Sequence, residues 1–281
     1  MFRRIGLITT ALLTIAAAAP DAEAAPPPAV NVAHRGASAA APENTVAAFE
    51  TAAAHRADMF ELDVQQTRDH RLIVMHDPTL ARTTDVEEVF PGRAPWKVGD
   101  LTLAEIRRLD AGSWLGARHS GQRVPTLRET LRAMGGGPLG LLLEIKTPRL
   151  YPGIEARVAG ELRRHPSWLI PGRLVVQSFN WDSMRVFHRL MPQIPVALLG
   201  APAAERLPEL AEFATQVHPP YAGVTRAYVR RAHAHGLAVY PWAVDDPRAM
   251  RRLLSYEVDG IITNRPDLLH TLQTTPEHAD A

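Results

Sequence analysis

The sequence predicts a single (β/α)₈ barrel with a small insertion, preceded by an N-terminal export signal. Short apolar runs rich in β-branched residues alternate with amphipathic segments along almost the whole chain. Eight of these runs have the length of buried strands, and 281 residues are enough for one barrel-sized domain. A doubly wound open sheet is the alternative that this pattern leaves open.

The export signal is predicted over residues 1–24. Arg3 and Arg4 supply a positive charge, an apolar run follows, and Ala22-Glu23-Ala24 has the A-x-A pattern of a cleavage site. An uncleaved membrane anchor is the alternative, but the apolar run is shorter than the roughly 20 residues of a spanning helix. We therefore expect an exported protein, periplasmic or secreted, without a stable membrane anchor. The proline-rich residues 25–30 predict a short spacer.

The predicted barrel covers residues 31–270 and its strands are the eight apolar runs. These are Val30–Ala33, Met59–Val64, Leu139–Ile145, Leu174–Ser178, Pro195–Leu199, Gln216–His218, Leu237–Ala243 and Asp259–Thr263. Amphipathic patterns between them predict helices, including Trp181–Leu190, Arg226–His235 and Arg248–Tyr256. Thr126 and Glu129 have the spacing of a capping box that opens another helix. Residues 271–281 are expected to form a tail.

A ninth apolar run, Leu72–Met75, follows Val64 too closely for a parallel crossover, which needs a dozen or more residues. It is therefore predicted to fold back as an antiparallel hairpin. With a tight turn at Arg68-Asp69, paired residues have numbers that sum to 137, so His76 should lie across from Glu61.

The segment from about Thr79 to Val124 breaks the alternation. It contains turn residues and one short helix, which Thr102 and Glu105 should cap. We interpret it as an insertion on the barrel mouth without a core of its own.

Composition excludes several classes of function. The formal net charge is +1, so the chain as a whole has no strong field toward nucleic acid or an anionic membrane. It contains no cysteine, which excludes disulfides, thiolate zinc sites and a cysteine nucleophile.

Ionisable residues occur in strands that should otherwise be apolar. Glu61 and Asp63 have i, i+2 spacing, and so do Glu144 and Lys146, so each pair shares one face of its strand. Unpaired charges inside a barrel cost several kcal/mol each, roughly, whereas three carboxylates around one cation avoid that cost. Oxygen ligands favour Mg²⁺, Ca²⁺ or Mn²⁺. A structural ion pair from Glu144 to Lys146 or to an arginine is the alternative.

Lys146 is one of only two lysines, the other being Lys97, in a chain with 31 lysines and arginines. A compact ammonium suits a crowded site that binds a phosphoryl oxygen, where a planar guanidinium fits less well. Chance retention of a lysine is the alternative reading.

Two histidines end strands near this carboxylate cluster. His34 ends the first strand, where the active-site rim of a barrel begins, and His76 ends the predicted hairpin strand. Histidines so placed indicate acid–base chemistry. We assign no role to the other ten.

The motifs, in their order and spacing, resemble the glycerophosphodiester phosphodiesterase family from about residue 31 to 269. They are His34-Arg35-Gly36, Pro42-Glu43-Asn44-Thr45, Glu61-Leu62-Asp63, His76-Asp77, Leu109–Trp114, Val124–Leu127, Glu144-Ile145-Lys146, Gln177-Ser178-Phe179 and Asp259–Asp267. Thr263-Asn264-Arg265 departs mildly from this family, in which many members have an acidic residue before the proline.

This resemblance implies a TIM barrel with an insertion and one divalent cation, Mg²⁺ or Ca²⁺. The implied cation ligands are Glu61, Asp63 and Glu144. The acid–base pair would be His34 and His76, and the phosphate would contact Arg35 and Lys146. Further implied members of the site are Glu43 in its polar shell and Phe179 and Trp242 in its substrate pocket.

The implied reaction hydrolyses a small-molecule glycerophosphodiester to glycerol 3-phosphate and an alcohol through a cyclic phosphate. Phospholipase D-like cleavage of lysolipids is a second reading, and sugar-phosphate chemistry does not account for two histidines beside three carboxylates. A non-catalytic barrel that only binds phosphodiesters is a third, and the presence of all three carboxylates and both histidines disfavours it.

Overall fold

In the computed structural model, residues 28–275 are described, and they form the barrel that the sequence predicts. The predicted export signal of residues 1–24 lies outside this part of the chain. No helix within residues 28–275 has both the length and the apolar character needed to cross a membrane.

Eight parallel strands and one antiparallel strand make up the sheet. The strands are β1 (Val30–Ala33), β2 (Met59–Gln66), β3 (Leu72–Val74), β4 (Gly140–Ile145), β5 (Leu174–Ser178), β6 (Val196–Leu199), β7 (Gln216–His218), β8 (Ala238–Val239) and β9 (Gly260–Thr263). The parallel strands follow the order β8-β7-β6-β5-β4-β2-β1-β9, and β3 pairs only with β2. Backbone hydrogen bonds from Asp259 to Val239 and from Ile262 to Pro241 connect β9 with the β8 segment and nearly close the barrel.

The helices lie between the strands and on the insertion. They are α1 (Val46–Ala54), α2 (Val86–Val89), α3 (Leu103–Ile106), α4 (Leu127–Met134), α5 (Ile154–Arg163), α6 (Trp181–Leu190), α7 (Leu207–Leu210), α8 (Arg226–His233), α9 (Pro247–Ser255) and α10 (Pro266–Thr274). Both predicted capping boxes are present, at Thr102 before α3 and at Thr126 before α4. The last helix runs to Thr274, past the predicted domain boundary at residue 270.

Strand β8 is much shorter than the predicted Leu237–Ala243. Pro241 has no N–H to donate, and the segment that follows the neighbouring strand β7 contains Pro219 and Pro220. Regular pairing therefore cannot continue. The chain nevertheless stays alongside, since Pro220 and Trp242 form an isolated parallel bridge. This contact carries Trp242 to the mouth of the barrel.

The hairpin forms as predicted, but its register differs by one residue. Val64 pairs with Val74 and Gln66 with Leu72, so paired numbers sum to 138 instead of 137. The turn is wider than expected because it closes between Thr67 and Arg71, with His70 in the left-handed region at φ 58°. The prediction that His76 pairs across from Glu61 is therefore wrong. The paired residues end at Val74; Met75 N–H still donates to the Asp63 carbonyl, and the chain then turns toward the mouth.

The insertion has a hydrophobic core, contrary to the expectation. Its buried residues are Leu80, Val86, Val98, Leu101, Ile106, Leu109, Ala111 and Val124, together with Ile73 and Met75. The last two belong to the hairpin arm, which is the returning segment of residues 72–77. The insertion also contains two short α-helices, α2 and α3, where one was predicted. The segment is a small satellite domain that shares β3 with the barrel.

The barrel interior is filled beneath its carboxyl end. Inward-facing apolar side chains from six strands, and from Tyr240 just after β8, pack together there: Val32, Met59, Leu142, Val175, Ala197, Tyr240 and Ile262. Two residues further along their strands lie His34, Glu61, Glu144 and Gln177. Because strand side chains alternate in direction, these polar residues point inward just above the apolar layer. The alternation of side chains along the strands thus places a polar cluster directly above a layer of apolar side chains.

Candidate active site

All ten residues singled out from the sequence lie at the carboxyl-end mouth of the barrel, in connected contacts. They are His34, Arg35, Glu43, Glu61, Asp63, His76, Glu144, Lys146, Phe179 and Trp242. This is the end at which barrel enzymes carry out their chemistry.

Three buried carboxylates form the centre of the mouth. Asp63 and Glu144 are register partners on β2 and β4, and Glu61 precedes Asp63 on the same inward face. One oxygen from each lies within 4.8 Å of the others, and each residue is at most 5% exposed. Burial, reinforced by Asp63 and Glu144, raises the pKa of Glu61 well above its usual value. Burial and Asp63 raise the pKa of Glu144 to about 8.

Lys146 lies against two of these carboxylates. Its Nζ is 2.8 Å from Glu144 Oε1 and 3.5 Å from Asp63 Oδ1. Burial favours a neutral lysine, but Asp63 and Glu144 outweigh it and raise the pKa of Lys146, which stays charged. The contact between Glu144 and Lys146 that the sequence suggested is thus present. Lys146 does not, however, form an ion pair with Glu61.

Arg35 is fixed beside the carboxylates by an unusual backbone. Its φ is 58°, and Gly36 follows at φ 81°, where an added Cβ would lie 2.6 Å from the Ala48 carbonyl carbon. Only glycine fits such a position. The resulting turn directs the Arg35 N–H to Glu61 Oε2 at 2.8 Å and its Nη1 to Glu43 Oε1 at 2.9 Å.

One buried donor of the Arg35 side chain, Nε, has no hydrogen-bond partner among residues 28–275. Its buried Nε lies 3.5 Å from Asp63 Oδ2, beyond a good hydrogen bond. Asp63 Oδ2 accepts instead from Asn44 Nδ2 at 2.8 Å. A buried guanidinium donor without a partner is suited to an anionic ligand.

His34 has a neutral amide as its partner. Its Nδ1 lies 2.8 Å from Asn264 Oδ1, while Asn264 Nδ2 donates to Asp245 Oδ2 at 2.6 Å. This orients the asparagine so that His34 Nδ1 is the donor and Nε2 keeps a free lone pair. Burial, with Arg35 nearby, lowers the pKa of His34 to about 4.

His76 has a carboxylate as its partner. Its Nδ1 donates to Asp77 Oδ1 at 2.5 Å, and its side chain is 29% exposed. Burial opposes ionisation of Asp77, but Arg82 and His76 outweigh it and lower the pKa of Asp77 to about 2. Burial also lowers the pKa of His76, against the opposite pull of Asp63 and Asp77. His76 therefore lies in the site although the hairpin register differs from the predicted one, because Asp63 is close enough to affect its pKa.

Two aromatic rings form one wall of the mouth. Phe179 and Trp242 meet edge to face, with ring centroids 5.6 Å apart. Lys146 Nζ lies 5.7 Å from the centre of the Phe179 ring, and Trp242 Nε1 donates to the His218 carbonyl. Phe179 is 54% exposed, so an apolar surface faces the opening next to the lysine.

Sequence reasoning missed two buried polar side chains that support the site. Gln65 Nε2 lies within 3.0 Å of the carbonyls of Met75, His76 and Asp77, and so holds the turn that carries His76. Gln65 continues the i, i+2 series of Glu61 and Asp63, which was the available signal.

The second missed group is His218, a strand residue that received no role. It contacts Gln177, whose amide reaches Glu61 Oε1 at 3.4 Å. Burial lowers the pKa of His218 to about 3, so this histidine is neutral and structural.

The donor set fits a divalent cation. Three buried carboxylates share one small space. Burial and mutual repulsion disfavour the ionisation of Glu61 and Glu144 unless positive charge is added, whereas Lys146 and Arg35 outweigh burial and lower the pKa of Asp63. Oxygen-only ligation is the preference of Mg²⁺ and Ca²⁺. Lys146 and Arg35 supply two positive charges against three carboxylates, and Arg35 is shared with Glu43.

Comparison with known proteins agrees with the predicted resemblance. Residues 34–268 match the model of the glycerophosphoryl diester phosphodiesterase family. A Bacillus subtilis protein named glycerophosphodiester phosphodiesterase is 36% identical over 286 residues, covering 96% of this chain and 94% of the relative. One of the same name from Caldanaerobacter subterraneus is 37% identical, covering 86% of this chain and 96% of the relative.

Solved structures share the fold. An Oleispira antarctica phosphodiesterase in complex with the product sn-glycerol-3-phosphate has a TM-score of 0.79 and 28% identity, covering 88% of this chain and 97% of that one. A glycerophosphodiester phosphodiesterase from Agrobacterium tumefaciens has a TM-score of 0.73 and 30% identity, covering 86% and 98%. The barrel architecture and the family resemblance are both confirmed.

Proposed function

This chain belongs to the glycerophosphoryl diester phosphodiesterase family, and we propose that it hydrolyses glycerophosphodiesters to glycerol 3-phosphate and an alcohol. One observation carries the proposal: two histidines and two cationic side chains surround three buried carboxylates in a single mouth. The complex of the Oleispira phosphodiesterase with its product supports the same substrate class here.

The phosphate binds between Arg35 and Lys146. Arg35 offers a buried Nε that lacks a hydrogen-bond partner, and Lys146 offers an ammonium at the opening beside Phe179. Both stay charged, because neighbouring carboxylates raise their pKa values. Two fixed positive groups stabilise negative charge as it grows on the phosphoryl oxygens.

Glu61, Asp63 and Glu144 hold one divalent cation, Mg²⁺ or Ca²⁺. When bound, this ion supplies positive charge to the phosphoryl oxygens in addition to that of Arg35 and Lys146. Support comes from the shared position of the three carboxylates and from the raised pKa values of Glu61 and Glu144, which indicate an unmet need for positive charge.

The different partners of the two histidines support different roles in the first step. His34 is held neutral with a free Nε2, so it accepts the proton of the glycerol hydroxyl next to the phosphorylated carbon. Burial lowers the pKa of His76, but the Asp77 carboxylate on Nδ1 opposes this and stabilises the imidazolium needed to protonate the departing alcohol.

In this first step the deprotonated glycerol oxygen attacks phosphorus and the bond from phosphorus to the alcohol oxygen breaks. The attacking oxygen is tethered to the phosphate, which gives it a large effective concentration over water. The product is a cyclic phosphate. Water then opens the ring with the roles of the histidines reversed, yielding glycerol 3-phosphate.

A deoxy substrate tests the tethered nucleophile. A glycerophosphocholine analogue with hydrogen in place of the adjacent hydroxyl should bind and inhibit without being cleaved, because the attacking oxygen is missing. Rapid quench with phosphorus NMR should show a cyclic phosphate only with the normal substrate. Efficient cleavage of the analogue would instead indicate direct attack by water.

A second candidate, cleavage of lysolipids, is favoured by a groove next to the site. A cavity of about 800 Å³ runs from Lys146 past Phe179 to Leu150, which is 61% exposed. Its lining is mixed, with the apolar side chains of Phe179, Leu150, Trp181 and Leu210 among charged ones, and a groove of this size could hold an acyl chain along that apolar part.

Turnover of purified protein with glycerophosphocholine and with lysophosphatidylcholine, with and without chelator, separates the two candidates. Higher kcat/KM for the lysolipid would favour the second one. Turnover that survives complete chelation would contradict the cation site in either case.

We also propose that the protein is exported and that the mature chain begins near Ala25, on the basis of the charged residues, apolar run and A-x-A pattern at the start of the sequence. N-terminal sequencing from an export-competent host tests this. An intact Met1 in the membrane fraction would contradict it.

A further inference from the structure

Arg82, near the start of the insertion, contacts two carboxylates with every nitrogen of its guanidinium. Its Nη1 and Nη2 donate to the two oxygens of Glu43 at 2.8 and 2.7 Å. Its Nε donates to Asp77 Oδ2 at 2.6 Å, and Nη2 also reaches Asp77 Oδ1 at 3.2 Å. A guanidinium that engages two carboxylates through forked hydrogen bonds has one defined orientation.

Each of these carboxylates holds one residue of the proposed chemistry. Asp77 accepts the Nδ1 proton of His76, and Glu43 accepts from Nη1 of Arg35. The contacts therefore run in one line from His76 through Asp77, Arg82 and Glu43 to Arg35. These two ends come from different parts of the chain, the hairpin arm and the loop after β1.

We propose that Arg82 is a positioning residue that sets the orientation of His76 and Arg35 together; the proposal rests on the function proposed above. Arg82 lies close to both groups without being one of the acid–base or cation-binding residues. It connects the insertion to the catalytic mouth, which gives the insertion a function beyond packing.

The exposure of Arg82 separates this role from a purely structural one. Its side chain is 44% exposed, and ion pairs that reach solvent contribute little to stability. Loss of Arg82 should therefore leave the fold intact. Within the part of the chain that the structure describes, it would, however, leave Asp77 with His76 as its only side-chain partner and Glu43 with Arg35 as its only one. Both carboxylates could then shift away from their present positions.

Arg82→Ala should lower kcat/KM for glycerophosphocholine at least tenfold, with most of the loss in kcat. Arg82→Lys keeps the charge but cannot make forked bonds to both carboxylates, so its activity should be intermediate. Arg107→Ala is the matched control, since Arg107 is an exposed insertion arginine that pairs with Glu129 away from the mouth. Thermal melting of all three should stay close to that of the parent protein.

The leaving group provides the readout that a structural role would not alter. The p-nitrophenyl ester of glycerol 3-phosphate releases a phenolate that needs no proton from His76. The loss in Arg82→Ala should be several-fold smaller for this ester than for glycerophosphocholine. Affinity for glycerol 3-phosphate, measured by calorimetry, should fall because Arg35 is less well held.

Equal losses with both substrates, or activity of Arg82→Ala within twofold of Arg107→Ala, would overturn the positioning role. Failure of the parent protein to cleave either substrate would overturn the proposed function instead. If Arg82→Ala does not fold, Arg82→Lys decides: the same leaving-group dependence supports the proposal, and parent-like activity with both substrates overturns it.

Discussion

The two sides of the barrel mouth hold the same kind of residue in opposite surroundings. On the β1 side, His34 is buried against an asparagine amide and its pKa is lowered to about 4. On the hairpin side, His76 is partly exposed and paired with a carboxylate that Arg82 in turn holds. The hydrogen-bond partner on Nδ1 of each histidine influences whether its imidazole is better suited to accept or to donate a proton. Asp63 lies near both sides and opposes the lowering of the pKa of each histidine.

Removing each histidine is the strongest test of this difference. His34→Ala and His76→Ala should each lower kcat for glycerophosphocholine by roughly 10³, within the range of general acid–base catalysis. With the p-nitrophenyl ester, His76→Ala should recover much of its activity, because the leaving group needs no proton, whereas His34→Ala should not. Recovery in His34→Ala instead would mean that the roles are reversed.

The carboxylates beneath both sides predict an effect that does not depend on the leaving group. Glu61→Gln and Asp63→Asn keep the side-chain size but remove a negative charge, so affinity for Mg²⁺ or Ca²⁺ should fall by about 100-fold. Calorimetry measures this directly, and kcat should fall equally for both substrates. Unchanged cation binding in both variants would show that these residues are not the ligands. Glu50→Gln is an exposed control on α1.

Lys146 lies between the carboxylates and the aromatic wall, and its shape should matter as well as its charge. Lys146→Arg should lower kcat/KM at least about tenfold, roughly 1.4 kcal/mol, because a planar guanidinium does not fit beside Glu144 and Phe179 as a compact ammonium does. Steady-state kinetics with glycerophosphocholine checks this. Activity close to that of the parent protein would show that the rare lysine is incidental.

The smallest expected effect is on stability, and it concerns the carboxylates alone. The pKa of Glu144 is raised to about 8, so in the cation-free protein its stabilising contribution is full below its ordinary pKa and is lost as pH rises through about 8. The melting temperature should fall by roughly 5 °C between pH 5 and pH 8.5.

Added Mg²⁺ or Ca²⁺ should raise the melting temperature more at the higher pH, because the ion binds the ionised carboxylates. Glu144→Gln should weaken both trends. A melting temperature that rises with pH in the absence of cation would contradict the assignment.

Much of the fold and of the site could be predicted because both depend on strand periodicity. The i, i+2 spacing of Glu61 and Asp63 decides which face they share, whatever the rest of the chain does. The hairpin register could not be predicted in the same way, since one residue in the left-handed region, His70, widens the turn and shifts every pair.

Contacts between distant segments were also beyond the sequence. Arg82 lies 39 positions from Glu43, and nothing in their local sequence indicates that they meet. The core of the insertion was missed for a similar reason, because its apolar residues are scattered and become a cluster only when Ile73 and Met75 are brought to them. By contrast, the capping box at Thr102 is local and was predicted correctly.

Strand β3 belongs to two hydrophobic clusters at once. Ile73 and Met75 contribute to the core of the insertion, whereas Val74 between them packs into the core of the barrel. Local unfolding of the insertion must therefore disturb the arm that carries His76, while β4 to β9 keep their own contacts. In native-state hydrogen exchange, amides of the insertion and of β3 should open together, at lower free energy than those of the barrel. The least protected unit of the protein would then include one of the two histidines proposed for acid–base chemistry, so mild denaturant should abolish activity before the barrel melts.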